Sequence, residues 1–477
     1  MTPSLVALDV SDNSLLKSLY IASDELVFLD LENLGLEKLS IYSSKISELD
    51  LATLTNLESL TLDVENLASL DVTANTGLDY LYLKGNSLSE VDLRQLESLK
   101  TLTIIGGNIE TVDLTQNLSL SKLKVNSPIM SSLDLSGNRE LLELEIASEK
   151  LDQIELTQNT QLTKLKIVAS LRNVELAKLT ELTSLTLNDF SNRVGVGLSR
   201  LDISNNKKLT HLDVYNNVLE ELNIENNIQL THLSASLNRL TELDVTKHVD
   251  LLELNLSNNG LRSLDVSSNT ELTHLRLFSN ILTELNVTQN SALRHLDIGS
   301  TEHNNAKNRI SNLDLSNNEQ LKTLHASFNL LESLDVSNNT KLFSLDLSHN
   351  RLSELDVTNN TELRYLLASN NELMDIDVNN NINLSSLDLS FNLLDELDVS
   401  KNTLLYWSLN VAGNKLEELD VSSNIYLYRL YANDNLLSTI NLSKNTALEV
   451  LRIADNPLTE ETISHVKSLN LRDVDLQ

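Results

Sequence analysis

Residues 209–292 read LTHLDVYNNVLEELNIENNIQ, LTHLSASLNRLTELDVTKHVD, LLELNLSNNGLRSLDVSSNTE and LTHLRLFSNILTELNVTQNSA, four 21-residue units without a gap. They share the pattern LxxLxLxxNxLxxLDVSxNTx. With the opening leucine as position 1, positions 1, 4, 6, 11, 14 and 16 are apolar and position 9 is Asn in most copies. Alternation at 4 and 6, and again at 14 and 16, has the period of a strand and not of a helix. One unit cannot bury its apolar residues alone, whereas stacked copies can.

Outward from this stretch the unit recurs along the whole chain, from Leu16 to Leu448, and 15 of the 20 intervals between its 21 starts are 21 residues long. This predicts one leucine-rich-repeat solenoid over 1–477, with a parallel sheet on one face and short strands or 3₁₀ turns on the other. A convex helix of three turns does not fit, because ten helical residues would consume half a unit. Twenty steps of about 4.8 Å give a sheet roughly 95 Å long. Leu5–Leu15 supplies only half a unit. At the far end Pro457-Leu458-Thr459-Glu460-Glu461 opens a short helix and Leu471, Val474 and Leu476 mark a last strand, so 457–477 reads as a C-terminal cap.

Position 9 divides the chain. From residue 209 onward it is Asn217, Asn238, Asn259, Asn280, Asn329, Asn350, Asn371, Asn392, Asn414, Asn435 and Asn456; earlier it is Asp24, Ser44, Glu65, Asn86, Gly107, Pro128, Glu149 and Ser170. An inward Asn pairs backbone groups of its own and the neighbouring turn. The expected organisation is a less regular half over 1–187, a junction with an insertion over 188–208, and a regular Asn-ladder half over 209–456 with an insertion at 299–311.

Composition narrows the function. With 68 acidic against 36 basic residues the formal net charge is -32, which disfavours nucleic acid and anionic lipid surfaces. There is no Cys, hence no disulfide framework and no thiolate metal site. No apolar run reaches the length of a membrane span, and the N-terminus shows no signal-peptide pattern, so a cytoplasmic chain and a mature exported chain both fit. No HExxH, GxSxG or Walker-type loop is present, and Gly195-Val196-Gly197 lacks the strand-turn-helix context of a phosphate site. A regular sheet face also offers no deep cleft. The expectation is a protein without catalysis and without a cofactor.

Candidate contacts lie where the repeat departs from its rule. Position 3, outward on the sheet, reads His211, His232, Glu253, His274 and His295; position 5 adds Asp213, Arg276 and Asp297, and position 7 adds Tyr215 and Phe278. These side chains suit a protein or glycan contact surface whose charge rises near pH 6. Two imidazoles on adjacent strands with Glu253 between them (His232, Glu253, His274) also form a candidate metal set. The plainer reading is that the LTHL tetrad was copied with the repeat. A second patch holds the only Trp: Tyr365, Trp407, Tyr428 and Tyr431, with Tyr406 and Tyr426 beside them. Aromatic anchors favour interfaces and sugar stacking; scattered surface aromatics are the alternative. The insertions 188–200 and 299–311 read either as binding loops or as neutral additions. The Asp column at position 15 reads as weak Ca²⁺ sites or, more simply, as carboxylates bonding local amides.

LTELDVTKHVDLLELNLSNNGL (240–261) and LESLDVSNNTKLFSLDLSHNRL (331–352) resemble the bacterial surface leucine-rich-repeat proteins of the internalin superfamily, in particular the 21-residue repeats of the internalin J type. In that type a Cys often occupies position 6; here the place holds Val214, Ala235, Leu256, Leu277 and further aliphatics, so no cysteine ladder exists. The resemblance implies a bacterial adhesin-like role in virulence: binding of a host or cell-surface protein or glycan by the sheet face and edge loops, outside the cell. An intracellular scaffold or effector using the same surface is the rival expectation, followed by a metal- or pH-dependent binder acting through the His file. Neither membrane insertion nor a nucleic-acid partner is expected, and oligomeric state is not readable from the repeat.

Overall fold

A computed structural model of the chain describes residues 5–32, 34–85, 87–189, 196–469 and 471–476. Asn86 and residues 190–195 of the first insertion, Gly195 among them, therefore lie outside the described residues. Two compact units are present, 1–239 and 240–477. Each is a parallel β-solenoid in which every 21-residue turn contributes one strand and strands adjacent in sequence are adjacent in the sheet.

In the first unit the sheet begins at Ser18–Ala22 and ends at His232–Ser234, and a separate parallel pair joins Ala7–Asp9 to Phe28–Asp30. In the second it runs from Glu253–Asn255 to Val450–Arg452, and Asp473–Asp475 adds the last strand. Pairing places leucine against leucine in register, as in Leu212↔Leu233 and Leu366↔Leu387. The leucines at positions 1 and 4 and the aliphatic at position 6 point inward from the strand side, and those at positions 11, 14 and 16 close the core from the other side. In the turn that starts at Leu342, the side chains of Leu342, Leu345, Leu347, Leu352, Leu355 and Val357 are all buried.

The back of each turn is neither strand nor helix. Asn75 N–H donates to Val72 O at 3.0 Å and Leu78 N–H to Asn75 O at 3.1 Å, two successive bonds of the 3₁₀ type. The Asn at their junction, position 19, is fully buried and spans turns: Asn339 donates through Nδ2 to Leu315 O at 3.1 Å and to Asn318 O at 2.9 Å. Asn318, Asn360, Asn381 and Asn402 repeat this bond from turn to turn. Leu54, Leu96 and Leu179 stand in the same column without an amide.

Position 9 carries a second ladder. Asn350 Nδ2 donates to Ala326 O and Leu347 O, both at 2.9 Å, and its Oδ1 accepts from Leu331 N–H at 3.0 Å. Just before it, position 8 is left-handed: Asn216, Leu237, Asn258, Ser279, Phe328, His349, Asn370, Phe391, Asp434 and Asp455 all have φ between 53° and 57°. That bend ends each strand after three residues from His211 onward, whereas strands from Lys38–Ser43 to Ser184–Asn188 run five or six. Strand length thus follows the left-handed bend.

The final helix spans Glu460–Ser468. It starts three residues after Pro457 because Thr459 caps it, its Oγ1 accepting from Thr462 N–H at 3.2 Å, with Glu460 and Glu461 in the positive first turn.

Position 15 is exposed, and its carboxylates bond their own turns. Asp356 Oδ1 accepts from Thr358 N–H at 2.9 Å and Thr358 Oγ1 at 2.6 Å, and Asp71 binds Thr73 in the same way. These bonds hold the carboxyl pKa values below the usual range. Asp92 is lowered furthest, from 3.8 to about 2, by hydrogen bonds from the Arg94 side chain and then from the Arg94 N–H. This geometry is that of local amide capping.

Removing one ladder amide measures what it contributes. Asn350→Ala leaves the Leu331 N–H unpaired and removes one of two side-chain donors from each of Ala326 O and Leu347 O, which keep Asn329 and Asn371; it costs about 1–3 kcal/mol, whereas exposed Asn338→Ala changes little. Amide hydrogen exchange checks this, as protection around residues 326–352 drops in the first variant only. The depressed carboxylate pKa values, in turn, stabilise the fold fully above pH 3.8 and lose that contribution as pH falls toward 2. The thermal midpoint should therefore decline over that interval, and a flat midpoint down to pH 2 contradicts the assignment.

Candidate functional site

In the first unit His211 and His232 are paired in register, and their rings stack with centroids 4.3 Å apart and planes 9° from parallel. In the second, His274 and His295 do the same at 4.4 Å and 15°. Each LTHL tetrad fixes its ring through the preceding Thr. Thr210 Oγ1 donates its one proton to Thr183 O at 3.1 Å, so at 2.8 Å from His211 Nδ1 it acts as the acceptor. Thr231 and Thr273 treat His232 and His274 likewise. The neutral imidazoles of His211, His232 and His274 are therefore Nδ1–H tautomers.

An ion bound through an imidazole nitrogen lies in the plane of that ring. Parallel stacked rings do not aim at one point, so chelation by either pair requires a ring to turn. Of the candidate metal set, His232 belongs to the first unit and Glu253 and His274 to the second, where Glu253 Oε1 lies 3.9 Å from His274 Nδ1. Among the described residues no group of three or more His, Cys, Asp or Glu side chains is arranged to hold a metal ion.

Position 5 forms its own file. Asn188 Nδ2 donates to Asp213 Oδ2 at 3.0 Å in the first unit. In the second, Arg276, Asp297, His325 and Asp346 follow one another in register, basic residue types alternating with acidic ones. Burial pushes the Asp297 carboxyl up, against the Gly299 N–H that bonds its Oδ1 at 3.2 Å. Burial lowers the His295 imidazole, with His274 and Arg276 adding to the effect. At position 7 Tyr215 is exposed and Phe278 half-buried.

The 299–311 insertion leaves the sheet directly after the strand His295–Asp297. It rejoins the ladder through Asn308, which is buried, accepts from Leu282 N–H at 3.0 Å, and donates to Leu277 O and Ile298 O. Asn308 thus fills position 9, a role the spacing hid. The loop also lays Lys307 Nζ 4.4 Å from the centre of the Phe328 ring, which stacks on His349 at 4.0 Å.

The aromatic patch divides. Tyr365 and Tyr431 are in strands on the sheet face, whereas Trp407 and Tyr428 precede their strands and stand on the rim. Trp407 and Tyr428 stack at 6.5 Å, and Arg429 lies over both rings.

One arrangement went unread in the sequence although its signal is plain: KLK at 122–124, ELE at 143–145 and KLK at 164–166. The structure sets these in register as an ion-pair lattice, Lys124–Glu145 at 3.0 Å and Lys166–Glu145 at 2.9 Å, lining a shallow depression of about 360 Å³.

Comparison with known proteins gives the geometry its context. No protein-family model and no curated protein matches the chain. Among solved structures, the functional domain of InlJ from Listeria monocytogenes, which includes a cysteine ladder, is 32% identical over 70% of this chain and 73% of its own, with a TM-score of 0.63. The Arabidopsis receptor kinase HAESA, solved with the peptide hormone IDA and the co-receptor SERK1, shares 21% identity over 97% of this chain and 86% of its own, TM-score 0.65. The internalin InlF of Listeria monocytogenes covers 73% of this chain and 91% of its own at 19% identity, TM-score 0.50. The last two share the fold. The identity to InlJ, spread over most of both chains, makes this protein a member of the internalin family of leucine-rich-repeat proteins, without the cysteine ladder.

Proposed function

We propose that the chain is a non-enzymatic recognition module that binds a cell-surface or host protein or glycan through its outward sheet faces, outside the cell. The observation that carries this reading is the file Glu253, His274 and His295 beside Arg276, Asp297 and His325: side chains in register on a rigid sheet, stacked and paired with one another, where the repeat needs only polar residues. Kinship to InlJ supports a surface role, and the HAESA structure, solved with a peptide hormone on a fold of this kind, supports a protein ligand. Among the described residues no helix is long and apolar enough to cross a membrane.

The stacked imidazoles favour a pH-gated form of this reading. Protonating both members of a pair sets two like charges with ring centres 4.4 Å apart, which costs free energy and reshapes the face as pH falls below the ordinary His value.

An array of cell-surface proteins and glycans, probed with the purified chain at pH 7, tests the proposal. The double variant His274→Ala, His295→Ala should bind about tenfold or more weakly, the size of a hot-spot loss. Removing residues 301–307 while keeping Asn308 restores a regular turn, so a binding defect there reports contact by the loop and not collapse of the ladder. Repeating the array at pH 5.5 should change the affinity of the wild-type chain and leave unchanged a variant in which His211→Ala and His232→Ala are added to the two substitutions. A wild-type chain that binds nothing on the array overturns the recognition reading.

A further inference from the structure

The turn carrying Trp407 breaks the repeat by one residue, and the extra residue is the tryptophan. Ser386 pairs with Ser408 and Leu409 with Leu430, so the strands keep register and the surplus falls just before Ser408. In an ordinary turn one residue bonds to both neighbours at this place: Ser385 N–H donates to Arg364 O, and Arg364 N–H to Phe343 O. Here the task is split, since Trp407 N–H donates to Ser385 O while Tyr406 O accepts from Tyr428 N–H, both at 3.0 Å. Two residues thus oppose one, which is a bulge, a device that re-aims a side chain.

The bulge turns the only Trp outward. Trp407 is 52% exposed, Tyr406 51% and Tyr426 59%, with Leu404 and Ile425 exposed beside them. A second aromatic group begins two turns earlier with Tyr365, which meets Phe343 of the turn before it edge-on at 5.4 Å, with Arg364 over the Phe343 ring. The turn between the two groups offers only Ser385 and Ser386 at the same positions. With strands about 4.8 Å apart, the aromatic groups face each other over a notch roughly 10 Å wide, enough for one large side chain.

Each group carries a cation. Arg429 lies 4.7 Å from the Trp407 ring centre and 5.0 Å from that of Tyr428, and Arg364 5.8 Å from that of Phe343. The nearby Glu449 is engaged elsewhere, accepting from Tyr428 OH at 2.9 Å and lying 3.7 Å from Arg472. Among the described residues neither Arg364 nor Arg429 has a carboxylate within ion-pair distance. On a chain of net charge -32 this rim is a local positive, aromatic exception.

We propose that this rim docks a protein segment presenting a bulky apolar side chain flanked by carboxylates: the apolar group enters the notch over Ser385 and Ser386, and the carboxylates pair with Arg364 and Arg429. Trp, Tyr and Arg are the residues most often found at the energetic centre of protein interfaces. A ring face covered by a guanidinium suits a carboxylate better than a neutral sugar. The surface is separate from the His file and does not depend on it.

Because Trp407 is the only Trp, its emission reports this rim alone. Three Trp-free peptides serve as probes: a Phe-Leu core flanked by aspartates, the same core flanked by lysines, and a neutral scramble. The acidic peptide should shift the emission to the blue, saturably and less at high salt, and bind about tenfold or more tightly than the lysine peptide. With labelled peptide followed by anisotropy, Trp407→Ala should abolish binding and Arg429→Glu should invert the charge preference, whereas His274→Ala with His295→Ala should leave it unchanged. Absence of any response up to millimolar peptide, equal response to both charges, or response only to neutral oligosaccharides overturns the proposal. The double His variant keeps this outcome distinct from that of the sheet-face reading.

Discussion

The structure depends on pairing the backbone polar groups that a thin coil cannot help burying. A 21-residue turn has six apolar side chains facing inward, and carbonyls at its bends point into that apolar core. Leaving one unpaired costs as much as a good hydrophobic contact supplies. The chain meets this with asparagine. At position 9 the amide works at both ends, as in Asn350, whose Nδ2 takes Ala326 O and Leu347 O while its Oδ1 takes Leu331 N–H. At position 19 the two donors take carbonyls of the preceding turn, as in Asn339.

Other features follow from that requirement. Where the position-9 amide holds the bend, position 8 is forced to φ near 55°, which Asn and Asp tolerate and Phe328, Phe391 and Leu237 adopt at a cost. The bend cuts strands to three residues; turns without it run on to five or six. It also sets the condition for insertion: the 299–311 loop is accommodated because Asn308 closes the ladder behind it.

With the interior so regular, chemistry on the outward sheet positions stands out. The Thr-His pairs give each imidazole a defined tautomer, the lysine and glutamate files neutralise one another, and the bulge at Trp407 breaks the period to expose a large ring. They mark the places where partners are to be sought.

Much of the fold was legible in the residues. Period, strand alternation, the inward aliphatics, the position-9 ladder and the capping helix all express local rules, since each turn repeats the same contacts with the next. Less legible was anything set by which atoms meet across turns. The Asn at position 19 stood in the repeat pattern, yet its twin donors to the preceding turn appear only when turns are stacked. Asn308 was hidden by its spacing, and the lysine lattice at 122–166 by its polar plainness. The sequence by itself determined that aliphatics turn inward and that His residues of neighbouring turns within each unit share a file, because strand alternation and a constant period leave no other arrangement. Only the tertiary structure decided that the imidazoles stack instead of converging, that Asp297 is half-buried beside Arg276, and that Trp407 stands on the rim, because ring planes, burial and bulge position depend on neighbours 21 residues or more away in the chain.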